Sequence, residues 1–272
     1  MIDKSIIHWF QKDLRLTDNP ALYKATTLGR VLPLYILDDS HPGRDKIGDA
    51  SRVWLHHSLN SLNDSLDQSL AVFQGDPIDI LSSLIDRYAI TDVCWNIQYE
   101  PWCQKRDLKI IKCLENKNIK IHLFNSSLLW NPDSIKKKDG TPYKVFTPFY
   151  RRGCMNSSMP ENPLPTVKFT RNLIKCEPHQ GIESLNLIPS PRWDKMMMNN
   201  WSVGEVRAKR LLSTFLKETI CHYKTGRDLP AQLYTSRLSP YIHFGELSIR
   251  QIWHAAQQLL PDTNTDCFLS QL

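Results

Sequence analysis

The first 125 or so residues alternate between short apolar runs and amphipathic segments, and this alternation constrains the fold more than any other feature. Runs of four to eight residues rich in β-branched and aromatic side chains are typical of buried strands. Five such runs occur here: SIIHWF (5–10), VLPLYIL (31–37), LAVF (70–73), DVCWN (92–96) and IKIHLFN (119–125). Strands that alternate with helices are joined by right-handed crossovers. The sequence therefore predicts an α/β fold with a doubly wound, Rossmann-like parallel sheet.

Three helices are predicted between these strands. Leucines at positions 55, 59, 62, 66 and 70 follow each other at steps of three or four, which places them on one face of a helix over 52–70. A second helix is expected over 77–88, because Asp76 before Pro77 combines a capping side chain with a residue favoured in the first turn. The third is expected over 102–116.

The pattern changes twice after this region. From Asn131 to about Asn200 the chain is rich in proline, glycine and charge, which indicates a long connecting segment that wraps a domain surface or has a function. Helical periodicity returns at Val203, and Ser248 with Gln251 forms a capping-box pattern at the start of a last helix over 248–260. We therefore predict an α/β domain over 1–130, a linker over 131–200 and the beginning of an all-α domain over 201–272.

Composition excludes several classes of protein. Hydrophobic residues make up 41% and charged residues 23% of the chain, as in ordinary globular proteins. The net charge of +6 permits a phosphate-rich partner without requiring one. No apolar run approaches the ~20 residues of a membrane helix, and the first residues do not resemble a signal peptide, so a cytoplasmic protein without membrane contact is expected. Seven cysteines without a C-x-x-C pair do not indicate a zinc or disulfide framework.

The segment TSRLSP (235–240) is the best candidate for a phosphate site. Ser239 before Pro240 is the pattern of a helix N-cap, which leaves backbone N–H groups free to meet an anion. Thr235 and Ser236 add hydroxyl donors. An ordinary helix cap with solvent-facing hydroxyls explains the same residues, and the residue types alone do not choose between the two interpretations.

A charged loop follows the first predicted strand. It contains Lys12, Asp13, Arg15 and Asp18 within WFQKDLRLTDNPAL (9–22). In a doubly wound sheet, ligands bind outside the carboxyl ends of the strands, so this loop is positioned to line a crevice. A salt-bridged loop that only fixes the first helix is the alternative.

Taken together, the motifs resemble the DNA photolyase/cryptochrome family over essentially the whole chain. WFQKDLRLTDNPAL is similar to the opening of that family, and TSRLSPYIHFGELSIRQIW (235–253) is similar to the first flavin-phosphate segment of its helical domain. Other matching segments follow in the family's order: SRVWLHHSLNSLNDSL (51–66), GDPIDIL (75–81), NIQYEP (96–101), YKVFTPFYRR (143–152) and WSVGEVRA (201–208).

The resemblance implies a function and a set of binding residues. In this family the T-S-R-L-S segment holds the diphosphate of a U-shaped FAD. The residues that this implies as contacts of FAD are Tyr223, Thr235, Ser236, Arg237, Leu238 and Ser239. Arg227 corresponds to an arginine that touches the DNA backbone. The implied activity is that of a carbon–carbon lyase, a monomer that uses light and reduced FAD to repair cyclobutane pyrimidine dimers in UV-damaged DNA.

Three departures from the family pattern qualify this expectation. Gln11 replaces a common arginine, which we interpret as a tolerated surface exchange. Trp102 and Cys103 stand where folate-binding members have an Asn–Glu pair, so folate is not expected and the antenna chromophore stays unidentified; Trp102 either stacks on another chromophore or packs.

The third departure is length. The family pattern continues past Leu272 with most of the flavin domain, including the catalytic glutamate region, so no catalytic residue is assigned here. We expect an incomplete FAD site, helices whose apolar stripe lacks a partner, and no repair by this chain alone. A cryptochrome-type blue-light sensor and a stand-alone α/β module that binds a chromophore or nucleotide are the alternatives.

Overall fold

A single five-stranded sheet forms the centre of the molecule, in a computed structural model that describes residues 4–169, 172–229 and 231–272. Every strand pair is parallel, and the order is β3-β2-β1-β4-β5. The strands are β1 Ser5–Phe10, β2 Arg30–Leu37, β3 Ala71–Gln74, β4 Ile90–Asn96 and β5 Lys120–Phe124. The predicted doubly wound α/β sheet and all five of its strands are confirmed.

The chain winds outward from β1 in both directions, which creates a switch point between β1 and β4. Alternate residues of β1 enter different cores: Ile6 and Phe10 face one side of the sheet, and Ile7 and Trp9 face the other. In such sheets the carboxyl ends of the two strands at the switch point enclose a crevice, here just after Phe10 and Asn96.

Four helices cover the sheet: α1 Pro20–Leu28, α2 Asp49–Ser65, α3 Pro77–Tyr88 and α4 Pro101–Asn116. The predicted cap of α3 is confirmed, since the Asp76 side chain accepts a hydrogen bond from the Ile78 N–H. The predicted end of α2 at Leu70 is wrong. Asp67 and Gln68 adopt positive φ angles of 51° and 55°, which a helix does not allow, and Leu70 is buried next to β3 instead.

The described residues of the connecting segment form short helical turns and isolated β-bridges. They include α5 Phe146–Pro148, a π-helical turn at Phe149–Gly153 and α6 Asp194–Met198. The segment runs along the sheet and its loops, because the Val167 N–H donates to the Leu16 carbonyl and the Gln180 N–H donates to the Val72 carbonyl.

The last part of the chain is helical. It comprises α7 Glu205–Thr214, a π-helical turn Phe215–Thr219, α8 Tyr223–Gly226, α9 Ser239–His243, α10 Ile249–Gln257 and α11 Thr263–Leu269. The capping box of Ser248 and Gln251 is confirmed. Helix α11 was not predicted; it begins where the Asp262 side chain accepts from two backbone N–H groups.

The expectation that these helices lack an apolar partner is wrong. Trp54 of α2 contacts the rings of Trp201, Tyr241 and Phe244 at centroid distances of 5.4, 5.1 and 6.2 Å. Both parts of the chain thus contribute to one core. The division at residues 130 and 200 stays a prediction. No helix in the described part of the chain is long and apolar enough to span a membrane.

Candidate functional site

The loop after β1 is held in shape by the buried carboxylate of Asp13. This carboxylate accepts hydrogen bonds from the Gln11 N–H at 2.7 Å, Asn19 Nδ2 at 3.1 Å and Asn96 Nδ2 at 2.6 Å. Because Asn96 ends β4, the network ties together the two strand ends at the switch point. The loop is therefore a fixed wall of the crevice.

The next part of this loop contacts the helical end of the chain. Arg15 is buried, and its Nη1 donates to the Gly245 carbonyl at 2.9 Å while its Nη2 donates to the Asp18 carbonyl at 2.8 Å. The Leu14 N–H donates to the Phe244 carbonyl at 3.1 Å. Burial lowers the pKa of Arg15, opposed by the charges of Asp13 and Asp18. These contacts fit the alternative of a structural loop, held by hydrogen bonds at Asp13 and Arg15 and by an ion pair with Arg250 at Asp18.

We call the contacts between the α/β domain and the helical end of the chain the junction. Two glutamates complete it, and neither was predicted from the sequence. Glu205 accepts from the Leu16 N–H at 2.7 Å and the Thr17 N–H at 3.1 Å. Glu246 is fully buried; it accepts from three donors: Trp54 Nε1 at 3.2 Å, Ser58 Oγ at 2.7 Å and the Gly204 N–H at 3.0 Å. Burial raises the pKa of Glu246 to about 7. The recurring Gly-Glu pairs at 204–205 and 245–246 were the available signal.

A cavity of about 300 Å³ opens at the carboxyl ends of β1, β2 and β4. This volume is at the small end of the range that binds compact ligands. Its lining combines aromatic rings with a few polar groups: Trp9, Gln11, Tyr35, Asp38, Trp102 and Arg106. We call it the crevice pocket. Gln11 and Lys12 of the loop after β1 line it too, so this loop borders a crevice.

Arg106 organises one wall of the crevice pocket. Its guanidinium carbon lies 4.7 Å from the Trp9 ring centroid and 5.1 Å from that of Trp102, and Nη2 lies 2.8 Å from Asp107 Oδ1. Arg106 Nη2 also donates to Gln11 Oε1 at 2.5 Å. Trp102 therefore packs on an arginine and lines the pocket at once.

The interpretation of Gln11 as a surface exchange is wrong. Gln11 lines the crevice pocket, and its side chain lies against Arg106 and Asp107 in the wall of that pocket. The Gln11 side chain therefore belongs to the wall of the pocket and not to the outer surface.

The predicted N-cap role of Ser239 is also wrong. Helix α9 begins at Ser239, Leu238 occupies the N-cap, and no side chain caps this helix. The turn is made earlier: Arg237 has a left-handed φ of 53°, and the Leu238 N–H donates to Ser236 Oγ at 3.4 Å. Leu238 is buried and holds the segment against the core.

The other side chains of this segment face outward. Thr235, Arg237 and Ser239 are exposed, and among the described residues the hydroxyls of Thr235 and Ser239 have no hydrogen-bond partner within the chain. Arg237 Nη2 donates to the Asn200 carbonyl at 3.3 Å, and its guanidinium lies 4.4 Å from the Trp201 ring centroid. The segment thus presents hydroxyl and guanidinium donors, which suit phosphate oxygens.

Tyr223 and Arg227 lie at the two ends of one short helical turn. The Tyr223 ring is packed against Phe215 at 5.7 Å and Phe268 at 5.2 Å, which supports a packing role. Arg227 lies over the Tyr223 ring at 5.8 Å. Gly226 packs directly against the Tyr234 side chain, so the structure brings this turn to the beginning of the 235–239 segment.

The DNA photolyase family model matches residues 6–168, more than half of the chain. This chain belongs to the DNA photolyase family. The sequence is 35% identical to the deoxyribodipyrimidine photo-lyase of Agrobacterium fabrum over 93% of this chain and 53% of the relative. It is 29% identical to cryptochrome-2 of Arabidopsis thaliana over 94% of this chain and 43% of that protein. The chain thus spans about half the length of these curated relatives.

Solved structures of the family share the fold. A class III photolyase from Agrobacterium tumefaciens superposes with a TM-score of 0.90 at 32% identity, covering 100% of this chain and 57% of that one. An archaeal photolyase from Sulfolobus tokodaii, solved with two FAD molecules, gives a TM-score of 0.76 at 24% identity over 98% of this chain and 56% of that one. The family resemblance inferred from the sequence is confirmed.

Proposed function

We propose that this chain supplies the α/β domain and one wall of the FAD site of a deoxyribodipyrimidine photolyase. The observation that carries the proposal is the 35% identity with a deoxyribodipyrimidine photo-lyase over 93% of the chain. The substrate is UV-damaged DNA, and the reaction is the light-driven splitting of cyclobutane pyrimidine dimers, a carbon–carbon lyase reaction. The relatives are about twice as long, and the proposal concerns the activity of such a complete protein.

The cofactor is FAD, which in its reduced state and excited by light supplies the electron that opens the cyclobutane ring. The exposed hydroxyls of Thr235 and Ser239 donate to its diphosphate, and the Arg237 guanidinium balances the phosphate charge. Ser236 stabilises the turn by accepting a hydrogen bond from the Leu238 N–H, and the buried Leu238 side chain anchors the segment to the core.

Two further residues extend this wall. Tyr223 packs at the edge of the flavin site, and the neighbouring Arg227 meets a phosphate of the DNA backbone. Photolyases are among the enzymes that turn their target nucleotide out of the base stack, so a backbone contact beside the flavin orients the strand while the dimer is extruded. These roles follow from the family resemblance, and the two residues lie at the ends of one helical turn.

The crevice pocket is the second candidate site, and we propose that it holds an antenna chromophore. The pocket offers the aromatic ring of Trp102 to a planar aromatic ligand, and the Gln11 amide lies in the same wall. Folate bound through an Asn–Glu pair does not fit, because Trp102 and Cys103 stand at those positions and Cys103 is buried.

A repair assay distinguishes photolyase from cryptochrome. The native polypeptide that carries this sequence is purified from the cells that make it, its flavin is reduced, and it is mixed with UV-irradiated oligo(dT). Blue light should restore thymine absorbance, whereas a dark sample and a sample with oxidised flavin should show no recovery. Dimers that persist under light despite bound, reduced flavin would instead support the cryptochrome-type sensor, to which the 29% identity with cryptochrome-2 also points.

The shared core argues against a stand-alone α/β module. Trp54 and Leu59 of α2 are buried in one cluster with Tyr241, Phe244 and Trp253 of the helical end. Removing the helical end exposes these α2 side chains to water, which costs free energy in proportion to the apolar area uncovered.

A further inference from the structure

A stretch of the connecting segment, residues 136–152, is strongly basic. It carries six cationic side chains and one acidic side chain, Asp139; the cationic residues are Lys136, Lys137, Lys138, Lys144, Arg151 and Arg152. In the part of the chain that the structure describes, Lys136 is the member of this group that forms an ion pair, with Asp133 at 3.2 Å. The remaining charges are therefore available to a polyanion.

Aromatic rings are interleaved with these charges; Phe146 is exposed, and Tyr150 is half-buried. Phe146 and Tyr150 are stacked, with ring centroids 5.7 Å apart and an interplanar angle of 8°. Phe146 is 56% exposed and its neighbour Val145 63% exposed. Exposed apolar groups that are contiguous, rather than scattered singly, are typical of interaction surfaces.

The backbone that carries these rings is rigidly supported. Tyr150 lies in the π-helical turn Phe149–Gly153, an irregularity that is frequent at functional sites. A Cβ atom at Gly153 would lie 2.7 Å from the Ile135 side chain and 3.1 Å from that of Tyr143, so the turn is packed closely against the rest of the segment. The rings are thus held in place rather than carried on a loose loop.

A groove separates this face from the helical end of the chain. Its volume is about 490 Å³, and it runs between Phe146, Tyr150 and Arg151 on one side and Lys224 and Cys267 on the other. The far wall continues to Arg227, whose Nη1 lies 3.9 Å from Cys267 Sγ. The stacked rings and two cations, Arg151 and Lys224, therefore line a groove of ligand size, together with one carboxylate, Asp266.

We propose that this groove binds an unpaired nucleotide of a DNA strand, with its base against the Phe146–Tyr150 stack and its phosphates beside Arg151 and Arg152. Exposed rings next to arginines are the means by which proteins hold single strands, because an unpaired base offers a free π-face that a paired base does not. An acidic peptide would satisfy the charges and leave the rings without a partner. The inference rests on the proposed function only in taking DNA as the polyanion.

The test measures binding of fluorescein-labelled oligo(dT), about 16 nucleotides long as for single-strand sites, to the 272-residue chain by fluorescence anisotropy at several salt concentrations. The double variant Arg151→Gln/Arg152→Gln should lose at least tenfold in affinity at low salt. Its slope of log affinity against log salt should be shallower by about 1.4, since each phosphate contact to a single strand contributes about 0.7.

Two variants of Phe146 test whether its ring stacks on a base. Phe146→Ala should weaken binding at least fivefold, the lower end of about 1–3 kcal/mol per stacked base, and should leave the salt slope unchanged. Phe146→Trp keeps a stacking surface and should retain the affinity. Melting curves of all variants should coincide with that of the parent protein, because Phe146, Arg151 and Arg152 are exposed.

Helix α4 offers matched controls. Lys105→Gln/Lys109→Gln removes two exposed charges, and Leu108→Ala removes an apolar side chain that is 68% exposed. Both should leave oligo(dT) binding unchanged. The proposal is overturned if the chain does not bind oligo(dT). It is also overturned if Arg151→Gln/Arg152→Gln and Lys105→Gln/Lys109→Gln lose affinity equally, or if Phe146→Ala and Leu108→Ala bind alike.

Binding of a duplex of the same length distinguishes an unpaired base held in the groove from attraction of the phosphate backbone alone. Tighter binding of oligo(dT) than of the duplex supports the groove, whereas equal binding that is insensitive to Phe146 overturns it. The proposed function fails separately, by loss of flavin binding or of dimer repair in the assays described for it, and neither result changes the oligo(dT) measurement.

Discussion

Arg250 and Asp18, 232 positions apart in the sequence, form a buried ion pair in which Nη2 lies 2.7 Å from Oδ1 and Nε lies 3.1 Å from Oδ2. Asp18 belongs to the loop after β1, and Arg250 to helix α10. The same carboxylate accepts from Ser248 Oγ at 2.5 Å and from the Leu164 N–H at 2.9 Å. One side chain thus joins the α/β domain, the connecting segment and the helical end.

The first prediction concerns this pair. Arg250→Met leaves the Asp18 carboxylate buried without its cation, and we expect a loss of about 3–5 kcal/mol in the free energy of unfolding. Urea denaturation measures the change. The exposed pair of Lys136 and Asp133 supplies the control: Lys136→Gln should change stability by less than about 1 kcal/mol. Equal effects of the two substitutions would show that the buried pair does not hold the junction.

The second prediction concerns the closest backbone approach in the junction. Gly245 has a φ of 68°, and a Cβ atom there would lie 2.1 Å from the Lys12 carbonyl oxygen. Gly245→Ala must move the loop after β1 or the turn after α9, so we expect destabilisation by more than about 2 kcal/mol. Gly48→Ala is the matched control, because a Cβ atom at Gly48 meets nothing within 4 Å. Thermal unfolding of both variants decides; a stable Gly245→Ala protein would contradict the observed junction.

The third prediction is a pH dependence that originates at Glu246. Its pKa is raised from 4.5 to about 7, chiefly by burial. Between these two values the folded state holds more protons than the unfolded state, so the contribution of Glu246 to stability falls as pH rises from about 4.5 to about 7. The full effect is on the order of 3 kcal/mol, at about 1.36 kcal/mol for each unit of pKa.

Comparison with Glu246→Gln isolates this contribution. His8 titrates with the opposite sign, because burial lowers its pKa from 6.5 to about 4 and its contribution rises with pH between those values. Both proteins contain His8, so its contribution cancels in the difference between their unfolding free energies. We expect the unfolding free energy of the parent to fall relative to that of Glu246→Gln as pH rises from 4.5 to 7. Above pH 7 the difference should stay constant. A difference that is constant with pH would contradict the raised pKa.

Local patterns predicted most of the α/β domain correctly, because a strand or helix buried on one face repeats its apolar residues at a fixed period. The same reasoning placed the end of α2 too late. Leu66 and Leu70 continue the leucine spacing, but Asp67 and Gln68 adopt left-handed conformations, and a hydrophobic period carries no information about that turn.

The junction residues were beyond the reach of local patterns. Glu246 owes its role to Trp54 and Ser58, which lie about 190 positions earlier, and Gln11 owes its role to Arg106. Such partners become visible only when the strands and helices are assembled. The residues of the 235–239 segment suggested a phosphate site, but the choice of FAD came from the family resemblance, since exposed hydroxyls before a proline also suit an ordinary helix start.

The fourth prediction tests the central claim, that residues 235–239 bind the diphosphate of FAD. Equilibrium dialysis compares the binding of FAD and of riboflavin, which has the same ring system without a diphosphate, to the native polypeptide that carries this sequence, the same protein as in the repair assay. Thr235→Ala/Ser239→Ala should weaken FAD binding and leave riboflavin binding unchanged. Its melting temperature should be that of the parent, since neither hydroxyl has a partner within the described chain and Ser239 does not cap α9.

Ser213→Ala, which removes an exposed hydroxyl from α7, is the control for this dialysis and should bind both flavins as the parent does. The account predicts that FAD binds more tightly than riboflavin and that this advantage disappears in Thr235→Ala/Ser239→Ala. Equal binding of the two flavins, or an advantage of FAD that survives the double substitution, would contradict it.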